Sequence, residues 1–402
     1  MNILFLSESF YPHYGGAELA TYLYAGLLSR ADFNVRVVTN RFAGESDVSK
    51  EGKLTVYRLP LLKRGGSIKY SILQRFDVLF SSFMRKMLRW ADVVYVPRFW
   101  YSAIPLAKAY GKPVITHLHD YIAICPLANY YNSSKDTICD YKTQLCSLKC
   151  IYVYERNQGR GFAETLTSVM LNSTFGHYLS RFVALSDAII CVSKTQKNLI
   201  TTRTPSLSRK IHVVYNPLPE LPQIDIEGDD FGYFGGPSPP KGFHVLCHAM
   251  TKINVEKLTV HATKFSNPTK DMCELANKLR ISLHGKLDDE SYERLYKQIR
   301  AVIVSSVWPE PLPYVVAEAI LRGRLVIASR IGGIPELVEG CKGAFLFEAG
   351  NYYELAEKLE YVKGLGKEVA ADLGTHSREV LTKKFSNERT IRDFTSVCDA
   401  LT

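Results

Sequence analysis

The chain has 402 residues, 46% hydrophobic and 22% charged, globular proportions that exclude a collagenous, low-complexity or disordered polymer. No window holds the roughly 18 uninterrupted apolar residues of a bilayer crossing, because the greasiest stretch, Phe182–Val192, is broken by Ser186 and Asp187. The net charge of +10 sits in one half: residues 1–219 hold 27 Lys+Arg against 14 Asp+Glu, and residues 220–402 hold 23 against 26.

In chain order, Val- and Ile-rich runs at Asn2–Ser7, Asn34–Thr39, Asp92–Val96, Pro113–Thr116, Ala188–Val192 and Ile211–Tyr215 read as buried strands. Between them, residues 17–29, 69–89, 163–185 and 194–202 carry helical periodicity. Strands alternating with helices predict a parallel sheet. Three prolines in Asn216–Gln223 can continue neither element, so this segment and the acidic patch up to Asp230 form a linker. The rhythm then restarts with strands at Phe231–Phe234, Leu258–His261, Ile281–His284, Ala301–Ser305 and Leu325–Ala328. Helices are expected near 241–252, 288–299, 314–322 and 351–363. The expectation is an α/β chain of two facing doubly wound domains, 1–216 and 217–386.

The start, Met1–Ser7, has neither a basic region nor a small-residue cleavage site, which points to the cytoplasm. Nine cysteines without an export signal do not make a disulfide framework. Four of them, Cys125, Cys139, Cys146 and Cys150, share one polar segment, where Cys146-x3-Cys150 alone resembles zinc spacing; a zinc or redox cluster and simple thiols both stay open. Lys53–Arg98 carries ten Lys/Arg and only Asp77 and Asp92 as acids, a field suited to anionic lipid head groups or other phosphates. Phe76, Phe80, Phe83, Met84 and Trp90 lie among these cations. Their helical spacing fits a membrane-facing stripe or an ordinary core face.

Open parallel sheets bind ligands beyond the carboxyl ends of their strands, and four such places carry chemistry. Gly15-Gly16 before a helix lets an anion approach backbone amides, with Tyr11, His13 and Glu18 close by in sequence. His117 and His119 project to one side of a strand end, with Asp120 adjacent, and suit a ligand hydrogen bond or a metal. Gly235-Gly236 followed by Lys241-Gly242 suits a phosphate but lacks the P-loop spacing. Finally, Glu310 and Glu318 flank a helix start, where carboxylates accept hydrogen bonds from hydroxyls and the helix terminus favours a phosphate. There is no Gly-x-Gly-x-x-Gly, and strand two ends in Thr39-Asn40-Arg41 without a ribose-binding acid, which disfavours a dinucleotide dehydrogenase.

The string Trp308-Pro309-Glu310-x7-Glu318, followed by Ile331-Gly-Gly-Ile-Pro-Glu336, resembles the donor-site signature of retaining glycosyltransferases of the GT4 family. Gly15-Gly16-Ala-Glu18, His119-Asp120, Val192-Ser193, Tyr215-Asn216-Pro217 and Lys241-Gly242 occur in the same order as in that family, so the resemblance spans nearly the whole chain. It implies a GT-B fold with an interdomain cleft, metal-independent transfer, and a UDP-, GDP- or ADP-sugar donor on the second domain. No further cofactor is required. It also implies that a last helix, about 387–400, packs back on the first domain, which is the acceptor side.

Carried over by position, His119 and Glu310 are the catalytic residues, and Glu318 binds the donor ribose. Gly15, Gly16, Gly235, Lys241, Leu312 and Tyr314 belong to donor binding, His284 and Gly285 line the base pocket, and Tyr11, His13, Glu18 and Asp120 lie on the acceptor side. The acceptor expected is a glycan or polyprenyl-linked intermediate, because the basic first half suits an anionic membrane surface, and not nucleic acid, as its partner. Two departures stand out: Gly236 replaces a usual arginine, and Leu312-Pro313 replaces Phe-Gly, removing one backbone amide. A non-catalytic scaffold that keeps the fold, and a GT-B epimerase or phosphorylase, are the alternatives.

Overall fold

The computed structural model describes residues 1–12, 15–61, 76–140, 148–157, 159–253 and 258–402. Its first strands, in chain order, are β1 (Asn2–Leu6), β2 (Asn34–Asn40), β3 (Val48–Glu51), β4 (Leu54–Leu59), β5 (Val93–Val96), β6 (Val114–Leu118), β7 (Tyr131–Asn132), β8 (Thr137–Ile138), β9 (Ala188–Cys191) and β10 (Ile211–Val213). Branched side chains suit a pleated sheet covered on both faces, and β5, β6 and β9 are buried throughout. All but β7 and β8 join one sheet in the order β10-β9-β6-β5-β1-β2-β4-β3, parallel except for the β3–β4 edge pair.

This sheet belongs to a unit made of Met1–Ser134, Asp140–Leu218 and Phe385–Thr402. The last helix, Asn387–Asp399, is part of its core: Phe394 lies 5.1 Å from the Tyr24 ring and 5.3 Å from the Tyr95 ring. Residues 69–75 of the expected helix 69–89 lie outside the described set. The remainder is broken in two, a 3-10 turn at Phe76–Phe80 and a helix at Ser82–Trp90, because Ser81 caps the latter by accepting from the Met84 amide at 3.1 Å. Met84, Met87 and Leu88 are buried, Phe83 meets Tyr57 edge-on, and Trp90 lies under the Arg36 guanidinium at 4.0 Å. Most of this apolar stripe is therefore core, with Phe80 exposed. A different stripe faces solvent: Phe162, Leu166, Met170 and Tyr178 on the helix Phe162–Ala184.

The second unit comprises Pro219–Lys384 with Lys135–Cys139. Its strands β11 (Asp230–Tyr233), β12 (Val260–Ala262), β13 (Ile281–Leu283), β14 (Ile299–Val304), β15 (Leu325–Ser329) and β16 (Ala344–Phe347) form a parallel sheet in the order β13-β12-β11-β14-β15-β16. Phe231, Tyr233, Leu246, Val260, Ile303, Ile327, Phe347 and Leu359 fill its core. Strand order reverses between β11 and β14 here, and between β1 and β5 in the first unit. Loops leaving the carboxyl ends of those strands diverge to opposite faces and leave room for a ligand.

Candidate functional site

In the second unit, the loop after β11 is fastened to the end of β14. Tyr233 shares its hydroxyl proton between the carbonyls of Gly236 and Lys241, at 3.0 and 3.1 Å. A side chain at Gly235 would begin 2.5 Å from that hydroxyl. Gly242 has φ +74°, and an added Cβ would lie 1.7 Å from the Ser305 carbonyl oxygen, so only glycine fits. Ser305 Oγ donates to the Gly242 carbonyl at 2.8 Å, and the Val307 amide donates to Pro240 at 2.9 Å.

This fastening brings Lys241 to Glu310, 69 positions away: Nζ donates to Oε1 at 2.7 Å, and Ser306 Oγ donates to the same oxygen at 2.7 Å. Glu310 is 4% exposed, and the Lys241 ammonium also lies 5.1 Å from the centre of the Trp308 ring. The Glu310 backbone is held from behind, where the Gly333 amide donates to its carbonyl at 2.7 Å. Glu318, on the helix Tyr314–Leu321, is half-buried and accepts from the Tyr292 hydroxyl at 3.2 Å. Burial pushes its carboxyl above the usual range, against the opposing pull of Arg322 and the Tyr292 hydrogen bond. The two acids thus face protein donors and not bulk water.

Beside them stands Lys264, just past β12, with φ +70°. Desolvation by the surrounding protein and the like charge of Lys241 push its ammonium below the usual range, while Glu318 and Glu310 pull the other way. Its amide donates to the Gly285 carbonyl at 3.1 Å, and the Phe265 amide to His284 at 2.8 Å. A hydrogen-bonded chain crosses β11, β12 and the end of β13: Asp230 Oδ2 to His261 Nε2, and His261 Nδ1 to His284 Nε2, both at 3.1 Å. With His261 donating to the carboxylate, its Nδ1 accepts from His284, and His284 keeps Nδ1 as an acceptor. Leu312 is half-buried, Tyr314 is buried, and Pro313 is the N-cap of the helix that carries Glu318.

In the first unit, Gly15 caps the helix Gly16–Arg30, and its amide donates to Glu18 Oε2 at 3.0 Å. Glu18 Oε1 accepts from Arg98, so both oxygens of this acid have structural partners. Arg98 also feels Asp120 and Glu8. Glu8 is buried with Oε1 lacking any hydrogen-bond partner, and burial raises its carboxyl well above the usual range. His117 and His119 stack at 4.4 Å as their i, i+2 spacing predicts, and the Nε2 atoms of both are buried without a hydrogen-bond partner among the described residues. Burial, then the Arg98 charge, brings His119 down to about 3, so the ring is neutral at pH 7. Asp120 accepts from the Ile122 amide at 2.9 Å, and Tyr11 is exposed, stacked on Tyr22. His13 and Cys146 lie outside the described residues. Among the described residues no group of three or more His, Cys, Asp or Glu is arranged to hold a metal ion.

A family model described as Glycosyltransferase Family 4 matches residues 14–219, and one described as Glycosyl transferases group 1 matches residues 228–362. The chain belongs to glycosyltransferase family 4. A relative in this group, an uncharacterized glycosyltransferase of Methanocaldococcus jannaschii, is 29% identical over 237 residues; the match covers 58% of this chain and 65% of that protein, just short of two thirds of its length. Sucrose-phosphate synthase of Thermosynechococcus elongatus superimposes with a TM-score of 0.68 at 16% identity, over 100% of this chain and 98% of the other. HepE of Anabaena, solved with UDP and glucose, gives 0.64 at 17%, over 99% of each chain. These likenesses show the GT-B fold. Within the family signature, sequence reasoning missed Lys264, Glu8, Arg98, Tyr233 and Tyr292. Arg98 alone carries a legible signal, a charged residue two positions after the Val-rich strand β5.

Proposed function

We propose that this glycosyltransferase moves a hexose or N-acetylhexosamine, with retention of configuration, from a nucleoside diphosphate sugar to a glycan or lipid-linked acceptor. The observation that carries the proposal is Glu310, buried and held by Lys241 and Ser306 at the point where strand order reverses. In this role Glu310 accepts hydrogen bonds from the transferred sugar, Glu318 from the ribose, and Lys241 releases Glu310 to meet the diphosphate. Gly235, Leu312 and the backbone amide of Tyr314, the residue after Pro313, lie against the donor. His284, with Nδ1 as acceptor, and Gly285 line the base. UDP in the HepE structure favours a uridine nucleotide over GDP or ADP.

The first unit serves the acceptor. Gly15 and Gly16 complete phosphate binding, and Tyr11, Glu18 and Asp120 belong to the acceptor side. Neutral His119 presents a hydrogen-bonding ring to the sugar. In transfer, the bond from the anomeric carbon to the diphosphate breaks while a bond to the acceptor oxygen forms on the same face. The acceptor proton goes to the departing phosphate oxygen, whose charge the preorganised cations stabilise. The charge of the first half and the exposed Phe162–Tyr178 stripe support an acceptor presented at an anionic membrane surface; no helix among the described residues is long and apolar enough to cross one.

The test is release of nucleoside diphosphate from UDP-, GDP- and ADP-sugars by the purified chain. Glu310→Gln and His119→Ala are each expected to slow it by about 100-fold or more, the scale of removing one preorganised polar group. Turnover at the parent rate in both variants would refute these roles.

A further inference from the structure

Lys264 is the cation that the donor-site signature does not account for. It is not a helix cap, not a core residue, and among the described residues its ammonium forms no ion pair, whereas Lys241 beside it is neutralised by Glu310. Its backbone adopts the left-handed conformation at φ +70°, which an L side chain adopts only against steric strain. Strain of this kind persists where the surroundings enforce it and concentrates at ligand clamps.

The neighbouring geometry says what the strain achieves. Gly236 also has positive φ, and a Cβ added there would lie 3.3 Å from Lys264 Cβ, so the two positions share one volume. With no side chain at 236, that volume is left to Lys264 at the carboxyl end of β12, a residue exposed as a whole but with its ammonium partly desolvated. Its amide is tied to Gly285, which fixes where the side chain starts. Two ammonium groups held near each other repel, and only one has a carboxylate in contact. An anion carrying more than one negative charge relieves both.

We propose that Lys264 is a second phosphate-binding cation of the donor site, contacting the diphosphate of the nucleotide and supplying the charge that Gly236 cannot. This inference rests on the donor binding proposed above. Before the nucleotide arrives, Lys264 has no carboxylate in contact among the described residues and Lys241 is masked by Glu310. The incoming diphosphate therefore meets Lys264 as the available cation, and Lys241 exchanges Glu310 for phosphate afterwards.

The test is calorimetric titration of the full chain with UDP, GDP and ADP, and with the matching nucleoside that lacks phosphate. Lys264→Met is expected to weaken the cognate diphosphate by about tenfold or more, the usual scale for one charge-assisted hydrogen bond, and to leave the nucleoside unchanged. Lys264→Arg should recover most of the loss. Lys264→Gly, which the left-handed backbone accepts without strain, guards against misfolding: it should keep or raise the melting temperature and still bind the diphosphate at least about tenfold more weakly. Parent-like diphosphate affinity in the Met and Gly variants overturns the inference but leaves the donor reading standing, as does equal weakening for nucleoside and diphosphate. Absence of binding to all three diphosphates by the parent chain overturns both.

Discussion

Glu310 owes its place to a glycine packed against its backbone. Gly332 has φ +57°, and a Cβ there would lie 2.1 Å from the Glu310 carbonyl oxygen and 2.6 Å from its amide nitrogen. Backbone, not a flexible side chain, would have to move, so Gly332→Ala must displace the Glu310 loop or unfold the turn. Gly350 is the control, since it has φ +84° and nothing within 4 Å of an added Cβ. Gly350→Ala should cost only the left-handed penalty, roughly 1 to 2 kcal/mol, or about 2 to 8 °C for a unit of this size. Gly332→Ala should cost that plus about 1 to 3 kcal/mol of overpacking. It should also lose nucleoside diphosphate release, which Gly350→Ala keeps. Differential scanning calorimetry beside the donor assay separates the two. Equal melting temperatures and equal turnover in both variants would show that the Gly332 turn does not position Glu310.

Acid should destabilise the first unit through its buried histidines. The folded His119 titrates near 3 instead of the usual 6.5, and His117 is likewise lowered by burial. Their neutral burial therefore contributes fully above about pH 6.5, and that contribution is lost as pH falls toward 3. His119 alone should cost about 2 kcal/mol by pH 5, read as a falling urea midpoint that His119→Asn flattens; an unchanged slope in the variant would contradict this. Glu8 works in the opposite direction, because a raised carboxyl favours the folded state at low pH and loses that advantage as pH rises through its folded value. At the membrane, pelleting with phosphatidylserine vesicles should be salt-sensitive and should drop sharply for Met170→Glu. Pelleting that ignores both salt and the substitution would remove the exposed stripe from that role.

Much of the architecture is legible wherever burial on both faces demands Val and Ile, as in β5, β6, β9 and β14. The edge pair escaped notice because Val48–Glu51 reads Val-Ser-Lys-Glu, an exposed strand with no apolar rhythm. The helix Lys367–Lys384 was hidden for another reason: its inner face is built from Ala370, Gly374, Ser377 and Leu381, small residues that pack closely but carry little hydrophobic signal. Gly374 permits this, since a Cβ there would meet the Gly323 carbonyl at 2.2 Å. At the site, Glu310, Glu318 and Lys241 stand out as motif residues, but their partners do not. Ser306, Tyr292 and Lys264 acquire meaning only from strand order and backbone angles, which no spacing along the chain encodes.

The first unit is threaded discontinuously, and its core waits for Phe394 to pack on Tyr24 and Tyr95. On the ribosome, the intervening unit has its entire sequence available before the earlier one does. The half made first is therefore completed last, holding an unfinished apolar face through most of synthesis. Truncation just after Lys384 would leave that face bare, because residues 385–402 are part of the first unit's core.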